Sequence, residues 1–272
     1  MRVPRCWPLQ RNIVMTFQDA KQRFSNRAGD YARYRPGYPR EILGLMGRWC
    51  CFSPEHVIAD IGSGTGLLSQ IFLENGNRVF GVEPNAEMRE AGEEFLRRYP
   101  NFTSVAGSAE AATLPDDSVD FVTAGQAFHW FDLGPTRREF RRILKTGGRV
   151  LIVWNERLLD TTPFLRAYEV LLRQFGTDYA LVNESYPRNE QMLAFFGKNE
   201  FTSHTLPNYQ EFDFDGLSGR LRSSSYAPAA GNPQFEPMMQ ELRRIFDAYQ
   251  VNGRVRMEYT TRIYTGALDV LE

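Results

Sequence analysis

Between residues 56 and 154 the chain alternates short apolar runs with amphipathic stretches. HVIAD (56–60), RVFGVE (78–83), FTSVAG (102–107), VDFVTAGQA (119–127) and GGRVLIVW (147–154) are brief and rich in Val, Ile and Phe. Such runs predict strands buried on both faces, as in a parallel sheet. Between them, LLSQIFLENG (67–76), AEMREAGEEFLRRY (86–99) and LGPTRREFRRIL (133–144) carry apolar residues at helical spacing. The first ends on a glycine stop, and the last has Pro135 near its first turn. An earlier helix is predicted over 39–50, with Ile42, Leu45, Met46 and Trp49 on one side. Residues 108–114 read as a loop containing a helical turn. Strand–helix alternation with right-handed crossovers predicts an α/β fold with a doubly wound, mainly parallel sheet.

From Asn155 the rhythm changes. Helices are predicted over 163–176 and 233–250, and aromatic-studded strands over 201–214 and 255–268. The two strands read as an antiparallel pair that brings the sheet to seven, and the helices as a cap over its ligand end. The expected plan is a possible non-native or disordered extension (1–15), a polar, aromatic lid arm (16–40), a nucleotide-binding core (41–155), and cap insertions plus terminal strands (156–272).

Composition narrows the functional classes. At 272 residues with 42% hydrophobic content, the chain can bury one substantial core. A net charge of −1 gives no global footprint for nucleic acid. No apolar run reaches the length of a membrane span, and the first residues lack the apolar stretch of a signal peptide. Cys6, Cys50 and Cys51 have no metal-like spacing, so no metal is expected and the cysteines read as reduced, in a cytoplasmic protein.

The candidate chemistry centres on Asp60-Ile61-Gly62-Ser63-Gly64-Thr65-Gly66, set between a strand and a helix. Glycines there allow a tight turn and close approach of a ligand to the backbone. A dinucleotide fingerprint starting at Gly62 needs glycine where Leu67 stands, and one starting at Gly64 needs it at Ser69. Asp60 also sits badly beside a pyrophosphate but suits a ligand with an ammonium group. One strand later, Glu83 is placed to accept hydrogen bonds from ribose hydroxyls; the plain alternative is a helix N-terminal anion.

With these residues in register, the chain resembles the class I S-adenosylmethionine (SAM) dependent methyltransferases of type 11. VIADIGSGTG (57–66), GVEPNAEM (81–88) and GSAEAATLPDDSVDFV (107–122) match successive motifs of that family. The resemblance implies S-adenosyl-L-methionine as cofactor and a Rossmann-like methyltransferase fold. It implies that Asp60 and the backbone of Gly62, Ser63, Gly64 and Gly66 hold the amino acid end, and Glu83 the ribose. Pro84, Asn85 and Met88 would border the adenine. Ser108, Ala109 and Glu110 align with an adenine-contacting Asp-Ala-Glu, with Ser108 in place of the leading acid.

Two further runs, Asp30–Pro39 and Gln126-Ala127-Phe128-His129-Trp130-Phe131, resemble a trans-aconitate methyltransferase-like subgroup. That likeness implies an arm folded across SAM, with Tyr31, Tyr34 and Arg35 nearest the cofactor and Gln126 facing it. His129 is the candidate general base, with a structural imidazole as the plain alternative. Trp130 is a candidate pocket wall. In RLRSSSY (220–226), Arg220 or Arg222 could hold an anionic acceptor, with Ser225 and Tyr226 as hydrogen bonders; Arg222 and Tyr226 are taken as the substrate-side residues. The function expected is methyl transfer to a small molecule, with a carboxylate as candidate, by a monomer or homodimer. The alternatives are a non-catalytic SAM-binding sensor or partner module and, less in keeping with the glycines, an NAD(P)-dependent oxidoreductase.

Overall fold

Strands β1 (Val57–Ile61), β2 (Arg78–Val82), β3 (Phe102–Val105), β4 (Val119–Gly125) and β5 (Leu144–Arg157) pair in parallel. β7 (Val255–Gly266) runs antiparallel between β5 and the edge strand β6 (Thr202–Phe212). The resulting order is β3-β2-β1-β4-β5-β7-β6. The computed structural model describes residues 33–177, 179, 189–197, 201–224 and 226–268. The predicted extension, most of the arm, Tyr31 and Ser225 lie outside them.

The central strands are mainly apolar because both faces are covered. Along β5, Val150 and Ile152 join one core, with Phe140 and Ile143 of α4 (Leu133–Ile143) and Phe195 and Phe196 of α6 (Asn189–Phe196). Leu151 and Val153 join the other, with Ile42 and Met46 of α1 (Glu41–Cys50) and Ile71 and Phe72 of α2 (Leu67–Glu74). The side chains alternate between the two faces, as the two-residue period of a strand demands. α3 (Ala86–Leu96) is started by Asn85, whose Oδ1 accepts from the Met88 amide at 3.0 Å.

A third core lies beyond the sheet's carboxyl end. It joins α5 (Pro163–Phe175), α7 (Phe214–Arg222) and α8 (Phe235–Tyr249) to Phe212, Val255, Met257 and Tyr259. α7 follows β6 after a single residue, Asp213, whose Oδ1 caps it by accepting from Gly216 at 2.8 Å.

Two local expectations are corrected. Residues 108–114 contain no helical turn; Ser108 and Ala111 close a tight antiparallel bridge, and Thr113 takes φ +59. The β3–β4 connection therefore crosses as a loop. The last parallel strand is longer than the apolar run 147–154, because pairing with β7 carries it on to Arg157. No helix among the described residues is long and apolar enough to cross a membrane, and they hold no cluster of metal-ligating side chains.

Candidate functional site

The order of the strands reverses at β1: β2 and β3 lie to one side, β4 and β5 to the other. A crevice at the carboxyl ends of β1 and β4 is where sheets of this class take ligands. The Gly62–Gly66 turn follows β1, and the Gln126–Phe131 run follows β4.

The turn is shaped by backbone that only glycine adopts easily. Gly62, Gly64 and Gly66 have φ of +65, +56 and +84. Space is as decisive: a Cβ on Gly62 would lie 2.6 Å from Ala127 Cβ, and one on Gly66 2.4 Å from Leu96 Cδ1. The first contact seats the turn against the β4 run; the second seats it on α3. The Gly62 and Ser63 amides both donate to the Val82 carbonyl (2.8 and 3.2 Å), tying the turn to the end of β2.

Asp60 lies beneath the turn with no accessible surface. Its carboxylate accepts from the hydroxyls of Ser69 (2.6 Å) and Thr123 (3.0 Å). Burial lifts the carboxyl from 3.8 to about 6, against those hydrogen bonds. Gly66, the N-cap of α2, has no side chain to serve the helix, and Asp60 supplies an anion there in its place.

Glu83 reaches the turn from the next strand. Its Oε2 accepts from the Gly64 amide at 3.0 Å and its Oε1 from the Asn85 amide at 2.9 Å. Burial raises its pKa, opposed by those two amides. Each carboxylate oxygen has two lone-pair directions, so acceptor capacity remains for a diol. Met88 lies over the turn, its Cε 3.3 Å from where a Gly64 Cβ would be. The Pro84 carbonyl is 3.4 Å from Arg89 Nη1, which also donates to the Glu83 carbonyl. The Thr65 hydroxyl, inside the turn, has no partner among the described residues.

Ser108 Oγ accepts from the Glu110 amide, and Ala109 is buried. Glu110 Oε1 accepts from the Asp132 amide (3.1 Å) at the start of α4. Glu110 therefore holds α4 in place.

After β4, Gln126 takes φ +57 and its Oε1 accepts from the Asn155 amide at 2.7 Å. This places its amide oxygen on β5. His129 packs between Trp130 (ring centroids 4.5 Å) and the edge of Trp154 (5.0 Å). The residue is partly accessible, but its Nδ1 is enclosed with no partner among the described residues. Burial pushes the imidazole down to about 3, so it is neutral at physiological pH and a poor proton acceptor.

Tyr34 and Arg35 meet the cap. The Tyr34 ring packs on the backbone of α7, where a Cβ on Gly219 would lie 2.3 Å from it, and the Tyr34 carbonyl accepts from Gln210. Arg35 Nη2 donates to the Ser223 carbonyl at 3.1 Å. Asn155 and Asn208 both donate to the Gly37 carbonyl (3.1 and 2.9 Å), pinning the arm across β5 and β6. Of the substrate-side pair, Tyr226 is buried against Tyr179, whereas Arg222 is exposed on α7 and Arg220 is the enclosed cation. Helical spacing explains this, since α7 packs on the cap core through Leu217 and Leu221, and Arg222 points away.

Sequence reasoning missed Ser69 and Thr123 as the groups that hold Asp60, and Asn155 and Asn208 as clasps of the arm. It also missed a buried ion pair between Arg157 and Glu169 (2.6 Å). The isolated polar residues inside apolar β4 and β5 were the available signal.

The chain is similar to several known proteins. A methyltransferase domain model matches residues 59–152. An uncharacterized methyltransferase of Schizosaccharomyces pombe is 32% identical over 223 residues, 82% of this chain and 86% of that protein. One from Mycobacterium tuberculosis is 36% identical over 140 residues, 52% of this chain. The chain spans little more than half the length, 55%, of that mycobacterial relative. In fold, the chain is similar to a protein named as a type II methyltransferase from Anaeromyxobacter dehalogenans (TM-score 0.65, 24% identity, 86% and 97% coverage). It is likewise similar to the YcgJ protein of Bacillus subtilis (TM-score 0.53, 24% identity, 86% and 100% coverage).

Proposed function

Because this chain belongs to the class I SAM-dependent methyltransferase family, we propose that it transfers the methyl group of SAM to a small-molecule acceptor presenting a carboxylate. The observation that carries the reading is the meeting of three elements at the β1/β4 crevice. These are the Gly62–Gly66 turn, Glu83 bonded to the Gly64 amide, and the Gln126–Phe131 run packed on Gly62.

The residues fit the cofactor. The side-chain-free glycines of the Gly62–Gly66 turn and the Thr65 hydroxyl, without a partner among the described residues, would receive the amino acid end. Asp60 is enclosed, so its charge would attract an ammonium group through the turn. Glu83 would take the ribose hydroxyls, with Pro84, Met88 and the Ser108–Ala109 turn bordering the base. When bound, SAM supplies an electrophilic methyl on a sulfonium, so the chain's task is to position the acceptor and exclude water.

A carboxylate acceptor accords with His129. Such an acceptor is already ionised at neutral pH and needs no base, and an imidazole held down to about 3 would make a weak one. His129, Trp130 and Trp154 then serve as an apolar wall. The likeness of 126–131 and 30–39 to the trans-aconitate methyltransferase-like subgroup supports the same acceptor class.

Calorimetry with SAM, S-adenosylhomocysteine and NAD tests the first half of this reading. Transfer of label from methyl-tritiated SAM to a small-molecule metabolite fraction tests the second. SAM binding with label in acidic small molecules is the expected outcome. Binding of NAD in place of SAM defeats the assignment, and tight SAM binding with no transfer makes the chain a sensor.

A further inference from the structure

Among the described residues, the interior of the cap holds two enclosed arginines, Arg157 and Arg220, and one enclosed carboxylate, Glu169. Arg157 stands at the carboxyl end of β5, two residues beyond Asn155 and so on the same face of the strand. Its Nη2 donates to Glu169 Oε2 (2.6 Å) and to the Tyr179 hydroxyl (2.7 Å), and Tyr179 in turn donates to Glu169. Glu169 is also shared with the exposed Arg173 (2.9 Å). This part of the cluster is closed, with a carboxylate for its cation.

Arg220 is different. It keeps 5% accessibility, yet among the described residues no carboxylate comes within salt-bridge distance of it. Its hydrogen bonds run from Nη1 to Ser224 Oγ (2.9 Å) and from Nε to the Tyr259 hydroxyl (3.4 Å). Both partners are hydroxyls, and neither bond uses Nη2. Arginine is almost never enclosed without an anion, because stripping water from an unpaired guanidinium costs several kcal/mol.

A second observation is independent of the first. Tyr168 is 1% accessible, lies under the Arg157 guanidinium (5.3 Å from its ring) and within electrostatic reach of Arg220. Its hydroxyl has no hydrogen-bond partner among the described residues. Among the described residues, a cation without an anion thus lies within electrostatic reach of a donor without an acceptor. Tyr226 reports the same imbalance. Burial would raise its hydroxyl, but Arg220, Arg157 and Arg35, together with a hydrogen bond to Ser224, outweigh burial and hold it below its ordinary value.

We propose that Arg220 and the Tyr168 hydroxyl form an oxyanion subsite of the cap, which takes a carboxylate or phosphate group of the acceptor. An oxyanion there accepts from Arg220 Nη2 and from Tyr168, and satisfies both groups at once. The proposal rests on the methyl-transfer reading, and it assigns acceptor anchoring to Arg220, with Arg222 left on the surface. The link to the crevice runs through Asn155, whose amide donates to Gln126, and through Arg35, which bonds α7 at Ser223.

The test uses the full chain and thermal unfolding with citrate, succinate or inorganic phosphate, each against sodium chloride of equal ionic strength. Every titration is run with and without S-adenosylhomocysteine, so failure of the cofactor reading shows separately, as loss of that ligand's own effect. The expected result is a rise in Tm with at least one oxyanion. Protection by carboxylates alone assigns that group, and protection by phosphate alone assigns a phosphorylated acceptor. Arg220→Met should match or exceed the wild type in unliganded Tm and lose the oxyanion-induced rise, with calorimetric affinity weaker by roughly tenfold or more. Tyr168→Phe, a gentler change, should keep its Tm and weaken the same binding. Absence of any oxyanion-specific rise in the wild type overturns the proposal. So does an Arg220→Met protein that is less stable yet keeps the full oxyanion response.

Discussion

Asp60→Asn isolates a charge that the fold holds against its own solvation. Asp60 has no accessible surface, and its carboxyl is lifted from 3.8 to about 6 by burial. At ~1.4 kcal/mol per pH unit, the gap between 3.8 and about 6 means that the ionised group costs about 3 kcal/mol at neutral pH, relative to the same group in the unfolded chain. Proton counts give the sign. Between these two values the native state keeps the proton and the unfolded chain releases it. The contribution to stability therefore falls as pH rises through the window, and levels off above about 6. The amide of Asp60→Asn has no proton to lose. It can keep both neighbours, accepting from one hydroxyl and donating to the other, because Ser69 and Thr123 can each play either part. Urea unfolding of both proteins from about pH 4 to about pH 8 should show the variant gaining on the wild type, by up to about 3 kcal/mol across the window. At pH 7.5 the variant should be at least as stable, yet bind SAM roughly tenfold or more weakly. A difference that stays flat with pH, or a variant that loses stability at pH 7.5, refutes the reasoning.

Gly66→Ala combines a left-handed φ of +84 with a Cβ 2.4 Å from Leu96 Cδ1. The expected losses are ~1–2 kcal/mol for the backbone and ~1–3 for overpacking. A double-mutant cycle with Leu96→Ala should recover only the second part. For His129, the imidazole pushed down to about 3 predicts a kcat/KM profile with no protonation limb near an ordinary histidine value. A wild-type limb at about 6.5 that disappears in His129→Gln would contradict this. Glu169→Gln strips the carboxylate from buried Arg157 and should cost ~3–5 kcal/mol in chemical unfolding, whereas the exposed Arg222→Ala should stay within ~0.5.

Much of the fold was legible because it depends on local periodicity. The runs 56–60, 119–127 and 147–154 are apolar without alternation only because both sheet faces are covered, and the observed strands follow them. The antiparallel pair at the end showed in its aromatics. Residues 108–114 were misread because their conformation is set by a two-residue bridge and by Glu110 reaching α4, neither of which leaves a periodic trace.

The candidate site divides along the same line. Sequence alone determined that a glycine turn follows β1, that an acid stands one strand later, and that Leu67 and Ser69 occupy positions where a dinucleotide site needs glycine. These are short-range facts, since backbone torsion and spacing are written into neighbouring residues. Only the tertiary structure decided what each charge faces. It enclosed Asp60 between Ser69 and Thr123, neutralised His129 among tryptophans, and separated Arg220 from Arg222 by turning one inward and the other to solvent. Desolvation and counter-ions fix the chemistry of an ionisable group, and both come from residues distant in the chain.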